Sequence, residues 1–271
     1  MATEYFFLAL VLPMVFMFPI SVKWEIRKTS SIPWLMTMGG VSCAAFFFIS
    51  TTVPATRPFW ALFTAVSLSV FITMGFLLYR FHRDPERCPP ESDGLMVSPA
   101  DGKVIYVKTI KDGEFPFSLK KGKVISLDDF IQGNRFMDKG VQIGIAMTFL
   151  NVHVNRMPLS GIVRTIRKIP GEFHSLKHIS SVLENERVYT LIEGEQITVG
   201  VVQIASRLVR RITSYFQEGE ACRIGDRMGM IRFGSQVDLI IPQTEGLKIL
   251  VEVGDEIKAG ETLVVEYGPK D

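Results

Sequence analysis

Met230-Ile231-Arg232-Phe233-Gly234-Ser235-Gln236-Val237-Asp238-Leu239-Ile240-Ile241-Pro242 is the stretch from which the fold reads outward. Val237, Leu239 and Ile241 alternate with Gln236, Asp238 and Ile240. That is largely the period-2 pattern of a half-buried strand, stopped by Pro242 and preceded by a Gly-Ser break. Gly234 has no Cβ, so its backbone can bring its carbonyl within reach of the Ser235 hydroxyl, a geometry bulkier residues oppose. Taken alone, the break reads as a β-bulge with a solvent-facing serine.

The composition around this stretch divides the chain. Of 271 residues 47% are hydrophobic, a high share for a soluble protein. The excess is local, in three uncharged runs: Tyr5 to Val22, Ile32 to Val53 and Phe59 to Tyr79. Each is long enough for a helix to cross a hydrocarbon layer of about 30 Å. The first run has neither a basic leader nor a small-residue cleavage site, so it reads as retained rather than as a signal peptide. Pro13 and Pro19 leave a re-entrant or interfacial helix open there, hence two to three spans. Lys23, Arg27 and Lys28 follow the first run, only Arg57 follows the second, and Arg80, Arg83 and Arg87 follow the third. The positive-inside rule therefore places the N-terminus outside and everything after Tyr79 on the cytoplasmic side of the cell membrane. The expected division is a membrane anchor over 1–80 and a second domain over 81–271.

The second domain reads as mainly β. Val97 to Lys108, Val141 to Phe149, Ile162 to Ile169, Arg187 to Ile192, Ile197 to Ile212, Leu247 to Val253 and Thr262 to Tyr267 are enriched in β-branched residues between Gly, Asn and Pro breaks. One short helix is signalled, with Ser126 as N-cap before Leu127-Asp128-Asp129-Phe130-Ile131. Two phrases, Ser98-Pro99-Ala100-Asp101-Gly102-Lys103-Val104 and Val253 to Leu263, resemble the turn-strand phrases of the barrel-sandwich fold of biotinyl and lipoyl carriers. Such carriers present a lysine after a methionine, and no Met-Lys pair occurs here. That resemblance therefore bears on fold and not on a carried cofactor.

Net charge +2 argues against a large nucleic-acid footprint, and Cys43, Cys88 and Cys222 lie too far apart for a disulfide framework or a CxxC metal pattern. His174 and His178 have the spacing of two metal ligands on one helix face, but no third ligand is evident and Gly171 and Ser175 favour a loop, so no metal is expected.

Four phrases carry the chemistry: Phe81-His82-Arg83-Asp84-Pro85-Glu86-Arg87, Ser98 to Lys103, Leu150-Asn151-Val152-His153-Val154-Asn155-Arg156-Met157-Pro158, and the opening stretch with Gly225-Asp226-Arg227 ahead of it. Singly, each has a structural explanation: a turn at Asp84-Pro85, a hairpin corner at Asp101-Gly102, a packed histidine on a strand. In this order and company they resemble the pyruvoyl-dependent phosphatidylserine decarboxylases, in their shorter bacterial and archaeal branch. The likeness runs from about Phe81 to the C-terminus and includes Asn185-Glu186-Arg187 and Gln203 through Ile212.

The resemblance implies a self-cleaving enzyme. The Ser235 hydroxyl attacks the Gly234 carbonyl, the chain passes through an ester, and elimination leaves Ser235 as a pyruvoyl group, the only cofactor implied. The cut between Gly234 and Ser235 yields two chains that stay together as a heterodimer; a homo-oligomer stays open. Phosphatidylserine in the membrane would form a Schiff base through its amine, lose carbon dioxide, take up a proton and leave as phosphatidylethanolamine. A serine hydroxyl needs a nearby base, and an aspartate that orients the imidazole improves its aim. His153 and Asp101 are the candidates, with His153 again as proton donor to the product. Arg207, Arg210 and Arg211, or Arg164, Arg167 and Lys168, are candidates for the lipid phosphate, since guanidinium groups pair bidentately with phosphate oxygens.

Three spans ahead of the catalytic part are more than the shorter branch leads one to expect, and two departures stand out in the site. The longer branch has a second histidine where this chain has Arg156, so His153 serves both steps or Arg156 and Asp238 share the work. Gln236 replaces a basic or small hydroxyl residue, which is expected to alter the site's electrostatics and keep its chemistry. The rival expectations are a pyruvoyl decarboxylase of another amino-containing substrate and a non-catalytic, membrane-anchored barrel-sandwich adaptor.

Overall fold

Apolar helices and β-branched strands separate along the chain into two compact units in a computed structural model: Met1–Arg83 with Thr148–Leu150, and Asp84–Met147 with Asn151–Asp271. The structure describes residues 2–23, 28–52, 58–90, 93–111, 117–120, 123–126, 137–169, 186–205, 211–232 and 236–268.

The first unit is helical: α1 (Ala2–Lys23), α2 (Lys28–Thr52) and α3 (Pro58–His82). α1 runs unbroken past Pro13 and Pro19. Thr3–Val22, Ile32–Thr52 and Pro58–His82 are each long and apolar enough to cross a membrane. Small residues let the helices approach: Ala9, Ala61 and Ala65 are buried with Phe46 and Leu62, and a Cβ on Gly39 would stand 2.7 Å from the Leu10 carbonyl oxygen. The outward faces carry exposed Phe7, Phe16, Phe48 and Phe71, as an apolar surround permits. At the end of α3, Phe81 stacks on Phe149 at 5.0 Å between ring centroids, and Arg83 Nη2 donates to the Leu150 carbonyl at 3.1 Å.

The second unit is built of strands. In chain order they are β1 (Leu95–Val97), β2 (Gly102–Ile110), β3 (Phe117–Lys120), β4 (Lys123–Ser126), β5 (Gly140–Ala146), β6 (Val154–Arg156), β7 (Gly161–Ile169) and β8 (Arg187–Glu193). Then follow β9 (Thr198–Ile204), β10 (Arg211–Ser214), β11 (Ala221–Cys222), β12 (Arg227–Arg232), β13 (Gln236–Pro242), β14 (Lys248–Ile249), β15 (Glu256–Ile257) and β16 (Leu263–Glu266). An eight-stranded antiparallel sheet, ordered β11-β7-β8-β9-β13-β5-β2-β15, curls into a half-barrel. Two three-stranded sheets, β1-β16-β14 and β10-β12-β6, and the β3-β4 hairpin complete the set among the described residues. The expected mainly β class, preceded by membrane-length helices, is what the structure has.

The barrel-sandwich phrases lie side by side. Val104 N donates to the Asp255 carbonyl and Gly254 N to the Val104 carbonyl, both at 2.9 Å; Ser98 N donates to the Thr262 carbonyl at 2.8 Å, and Gly260 N to the Ser98 carbonyl at 2.9 Å. Gly254 and Gly260, at φ +111° and +72°, supply the left-handed backbone that these turns require.

Several strand bounds differ from expectation. The run from Val97 is split by the Ser98–Asp101 turn into β1 and β2, and Leu247 to Val253 contributes only the two residues of β14. Ser126 ends β4, and the helix signalled after it falls on residues outside those described.

β13 also departs from the half-buried pattern: every residue from Gln236 to Ile241 is buried. The reason is its central place between β9 and β5, with apolar residues on both faces. Val237, Leu239 and Ile241 enter the main core with Ile143 and Val201. Ile240 joins a second cluster with Ile110, Tyr189, Val202 and Ile204.

Candidate active site

The cleavage candidates Gly234 and Ser235 lie outside the described residues, which stop at Arg232 in β12 and resume at Gln236 in β13. The geometry on either side is defined. Gln236 is held on both flanks, paired with Ala146 of β5 and Ile204 of β9. On the other side, β12 pairs with β6, and Ile231 N donates to the His153 carbonyl at 3.1 Å. His153 thus lies alongside the run into Gly234-Ser235.

The His153 side chain is fully buried, as are Val152 and Val154. Its Nδ1 is 2.9 Å from the Asn151 carbonyl oxygen. A carbonyl only accepts, so chemistry assigns the proton to Nδ1 and leaves the Nε2 lone pair as the ring's basic site.

Two residues on from His153, Asn155 is joined to a second buried amide. Gln203 Nε2 donates to Asn155 Oδ1 at 2.8 Å, and Asn155 Nδ2 has Met147 Sδ at 3.9 Å, a weak partner. Gln203 Oε1 is buried without a partner among the described residues. Gln203 pairs in register with Val237, so this polar edge lies opposite the second residue beyond Ser235. Each amide was a residue in a family phrase at the sequence level. The available signal was a glutamine inside the apolar run Val199 to Ile204, because a buried amide needs a partner.

Asp101 reaches the histidine through the backbone. Its Oδ2 accepts from Val152 N at 3.3 Å, its Oδ1 accepts from Ala259 N at 2.8 Å, and Arg87 Nη2 lies 3.2 Å from both oxygens. The carboxylate thereby fastens the residue before His153 to the turn after β15.

Arg156 is 3% exposed and directed elsewhere. Its Nη2 donates to Asp84 Oδ1 at 2.7 Å and to the Pro85 carbonyl at 2.8 Å, and its Nη1 donates to the Gly225 carbonyl at 3.1 Å. Arg227 pairs with both Asp84 and Glu86; its bonds to Glu86 and then Asp84 raise its pKa further above the ordinary arginine value. Asp238 belongs to a separate buried network with Tyr106, Gln142 and Gln236.

Of the phosphate candidates, Arg207 and Arg210 lie outside the described residues and Arg211 is placed by its backbone in β10, opposite Arg232. Arg164 pairs with Glu193, and Lys168 Nζ is 2.7 Å from Glu186 Oε1. His174 and His178 lie outside the described residues. Among the described residues no cluster of three or more His, Cys, Asp or Glu is arranged to hold a metal ion.

Three membrane-length helices joined in sequence to a β unit with a fully buried histidine fit a membrane-associated protein. The family model described as phosphatidylserine decarboxylase matches residues 75–265, and this chain belongs to that family. A putative archaetidylserine decarboxylase proenzyme of Methanothermobacter thermautotrophicus is 38% identical over 218 residues, covering 79% of this chain and 91% of the relative. The phosphatidylserine decarboxylase proenzyme of Chlorobium chlorochromatii is 34% identical over 227 residues, covering 83% and 92%. That of Nitratidesulfovibrio vulgaris is 37% identical over 217 residues, covering 80% and 89%.

Proposed function

We propose that this chain is a phosphatidylserine decarboxylase proenzyme that cuts itself between Gly234 and Ser235 and makes its catalytic group from Ser235. The observation that carries this reading is His153: buried, committed through Nδ1 to the Asn151 carbonyl, and backbone-bonded to Ile231 at the head of the run into the cut. Its Nε2 has the lone pair a general base requires.

In the processing step Ser235 Oγ gives its proton to the base and bonds to the Gly234 carbonyl carbon as the carbon–nitrogen bond to Ser235 breaks, turning peptide into ester. Loss of the residue 235 α-proton expels the Gly234 carboxylate. Water then replaces the residue 235 nitrogen, which leaves as ammonia. The products are a chain of residues 1–234 and a chain of residues 235–271 that begins with a pyruvoyl group.

Gln203 Oε1, a buried acceptor for an amine, and Asn155 Nδ2, a buried donor for a carbonyl, support the reading. When formed, the pyruvoyl group supplies a carbonyl that takes up the substrate amine and accepts electrons as carbon dioxide leaves. His153 returns a proton to the substrate carbon. Asp101 steadies His153 by fixing Val152 N.

The apolar helices keep the unit at a bilayer that the lipid's acyl chains never leave. The anchor is residues 1–80, the decarboxylase domain is residues 81–271, and the basic residues at the span ends favour a cytoplasmic catalytic face. Arg207, Arg210 and Arg211 are the proposed contacts to the lipid phosphate.

Intact-mass measurement of the purified protein beside Ser235→Ala tests the reading, with turnover assayed on phosphatidylserine vesicles against free serine. The expected result is a pyruvoyl-terminated fragment of residues 235–271 that is lost in the variant, with turnover confined to vesicles. A single uncut chain near 30.5 kDa in both samples overturns it.

A further inference from the structure

Three residues far apart in sequence line up across neighbouring strands. Tyr106 of β2 pairs with Gly144 of β5, and Gly144 pairs with Asp238 of β13. A Cβ on Gly144 would stand 2.3 Å from Tyr106 Cζ and 2.6 Å from its Cε1, so the ring lies flat on the glycine. Lying flat, Tyr106 crosses β5 and donates its hydroxyl to Asp238 Oδ1 at 2.9 Å. Gln142 Nε2 donates to Asp238 Oδ2 at 3.1 Å. Gln236 Nε2 donates to Asp238 Oδ1 at 2.9 Å and to Tyr106 Oη at 3.0 Å. Asp238, Gln142 and Gln236 are at most 2% exposed. Three donors converge on one buried carboxylate, a network whose members lose disproportionately when one is removed.

We propose that Tyr106, Gln142 and Asp238 form a strap that positions residue 235 by gripping the side chain of Gln236. The inference rests on the self-processing reading. Gln236 is joined directly to residue 235, its backbone is paired on both sides, and its side chain is tied to β2 and β13. The peptide unit between residues 235 and 236 is therefore fixed on its C-terminal side, before the cut and after it. Asp238 is a positioning residue: it acts on the reacting atoms through Gln236. Gln236 is the residue by which this chain departs from its branch, and the strap gives its amide a use: it donates twice.

Asp238→Asn exchanges a double acceptor for a group that turns an N–H₂ toward one of the converging donors. A displacement near 1 Å at a reacting centre costs on the order of 100-fold. Processing rate and kcat are therefore expected to fall roughly 10- to 100-fold in Asp238→Asn, with KM within about twofold. Combining Asp238→Asn with Gln236→Glu restores a donor–acceptor pair and is expected to recover much of the loss, which a general loss of stability would not do. Tyr106→Phe, which removes one hydroxyl, serves should Asp238→Asn fail to fold; a roughly threefold to tenfold fall is expected. The assay follows appearance of the 235–271 fragment and turnover on phosphatidylserine vesicles with the full chain. Processing and kcat within twofold of wild type in the folded variants overturn the strap alone. An uncut wild-type chain overturns the processing reading and the strap with it.

Discussion

Arg156 Nη2 lies 2.7 Å from Asp84 Oδ1 across 72 residues of sequence, with the arginine side chain 4% exposed and the aspartate 26%. The guanidinium binds the Asp84-Pro85 phrase to the strand that follows His153. Removing one partner of a largely buried pair leaves the other charge unsatisfied. Asp84→Ala is therefore expected to destabilise the β unit by about 2 kcal/mol, discounted for the exposed edge of Asp84. A denaturant or thermal melt of the detergent-solubilised chain checks this, and an unchanged midpoint would show that the Pro85 and Gly225 carbonyls suffice for Arg156.

His153→Ala removes the proposed base and proton donor together. Positioned acid–base groups contribute about 10²- to 10⁴-fold. Product formation is expected to fall by at least 10²-fold, even in protein in which the cut has gone to completion. Near-normal turnover by cleaved His153→Ala protein would remove this residue from the mechanism.

Gly144→Ala puts a methyl where the Tyr106 ring lies, at 2.3 Å from Cζ. Overpacking of this kind costs about 1–3 kcal/mol. In a Tyr106→Ala background the same change is expected to cost far less, because the atom it strikes is gone. A double-mutant cycle from melting curves measures the difference; additive effects would mean that ring and glycine do not share the space.

Cys222 is buried, and burial raises its thiol from 9.0 to about 11. The unfolded chain loses this proton first, so the stability it contributes is complete below the unfolded value and declines as pH rises toward about 11. Melting temperature is expected to drop between these pH values less steeply in Cys222→Ala. At pH 8, iodoacetamide should label exposed Cys88 well before Cys222, since thiolate and access govern the rate. Equal labelling rates, read by peptide mass mapping, would contradict this assignment.

The spans were legible because length and apolarity alone decide them, and α1 kept its helix through two prolines. The β class was legible from β-branched runs, and the pairing of Ser98–Val104 with Val253–Leu263 bears out their joint place in the fold. β13 was recognisable as a strand but not as a central one: Asp238 and Gln236 look like solvent-facing positions until Tyr106 and Gln142 are known to cover them. That knowledge depends on the register of β2 and β5, which no local pattern carries. Arg156 and Asp101 show the same gap from the other side. Their residue types suggest reactivity, whereas their partners, Asp84, Arg87, Val152 and Ala259, are those of tethers.

The centrality of β13 has a consequence for the order of events. Residues 235–271 supply the middle of the half-barrel through β13, its outer edge beside β2 through β15, and the strand between β1 and β14 through β16. A fragment so interleaved cannot be docked onto a finished partner, because the partner without it has a gap at its centre rather than a surface. Under the proposed cut, folding must come first. Once unfolded, the severed pieces would have to find each other in solution instead of meeting within one chain at high effective concentration. Maturation is then irreversible in a second sense, apart from the broken bond: the mature enzyme has lost the covalent continuity by which it was assembled.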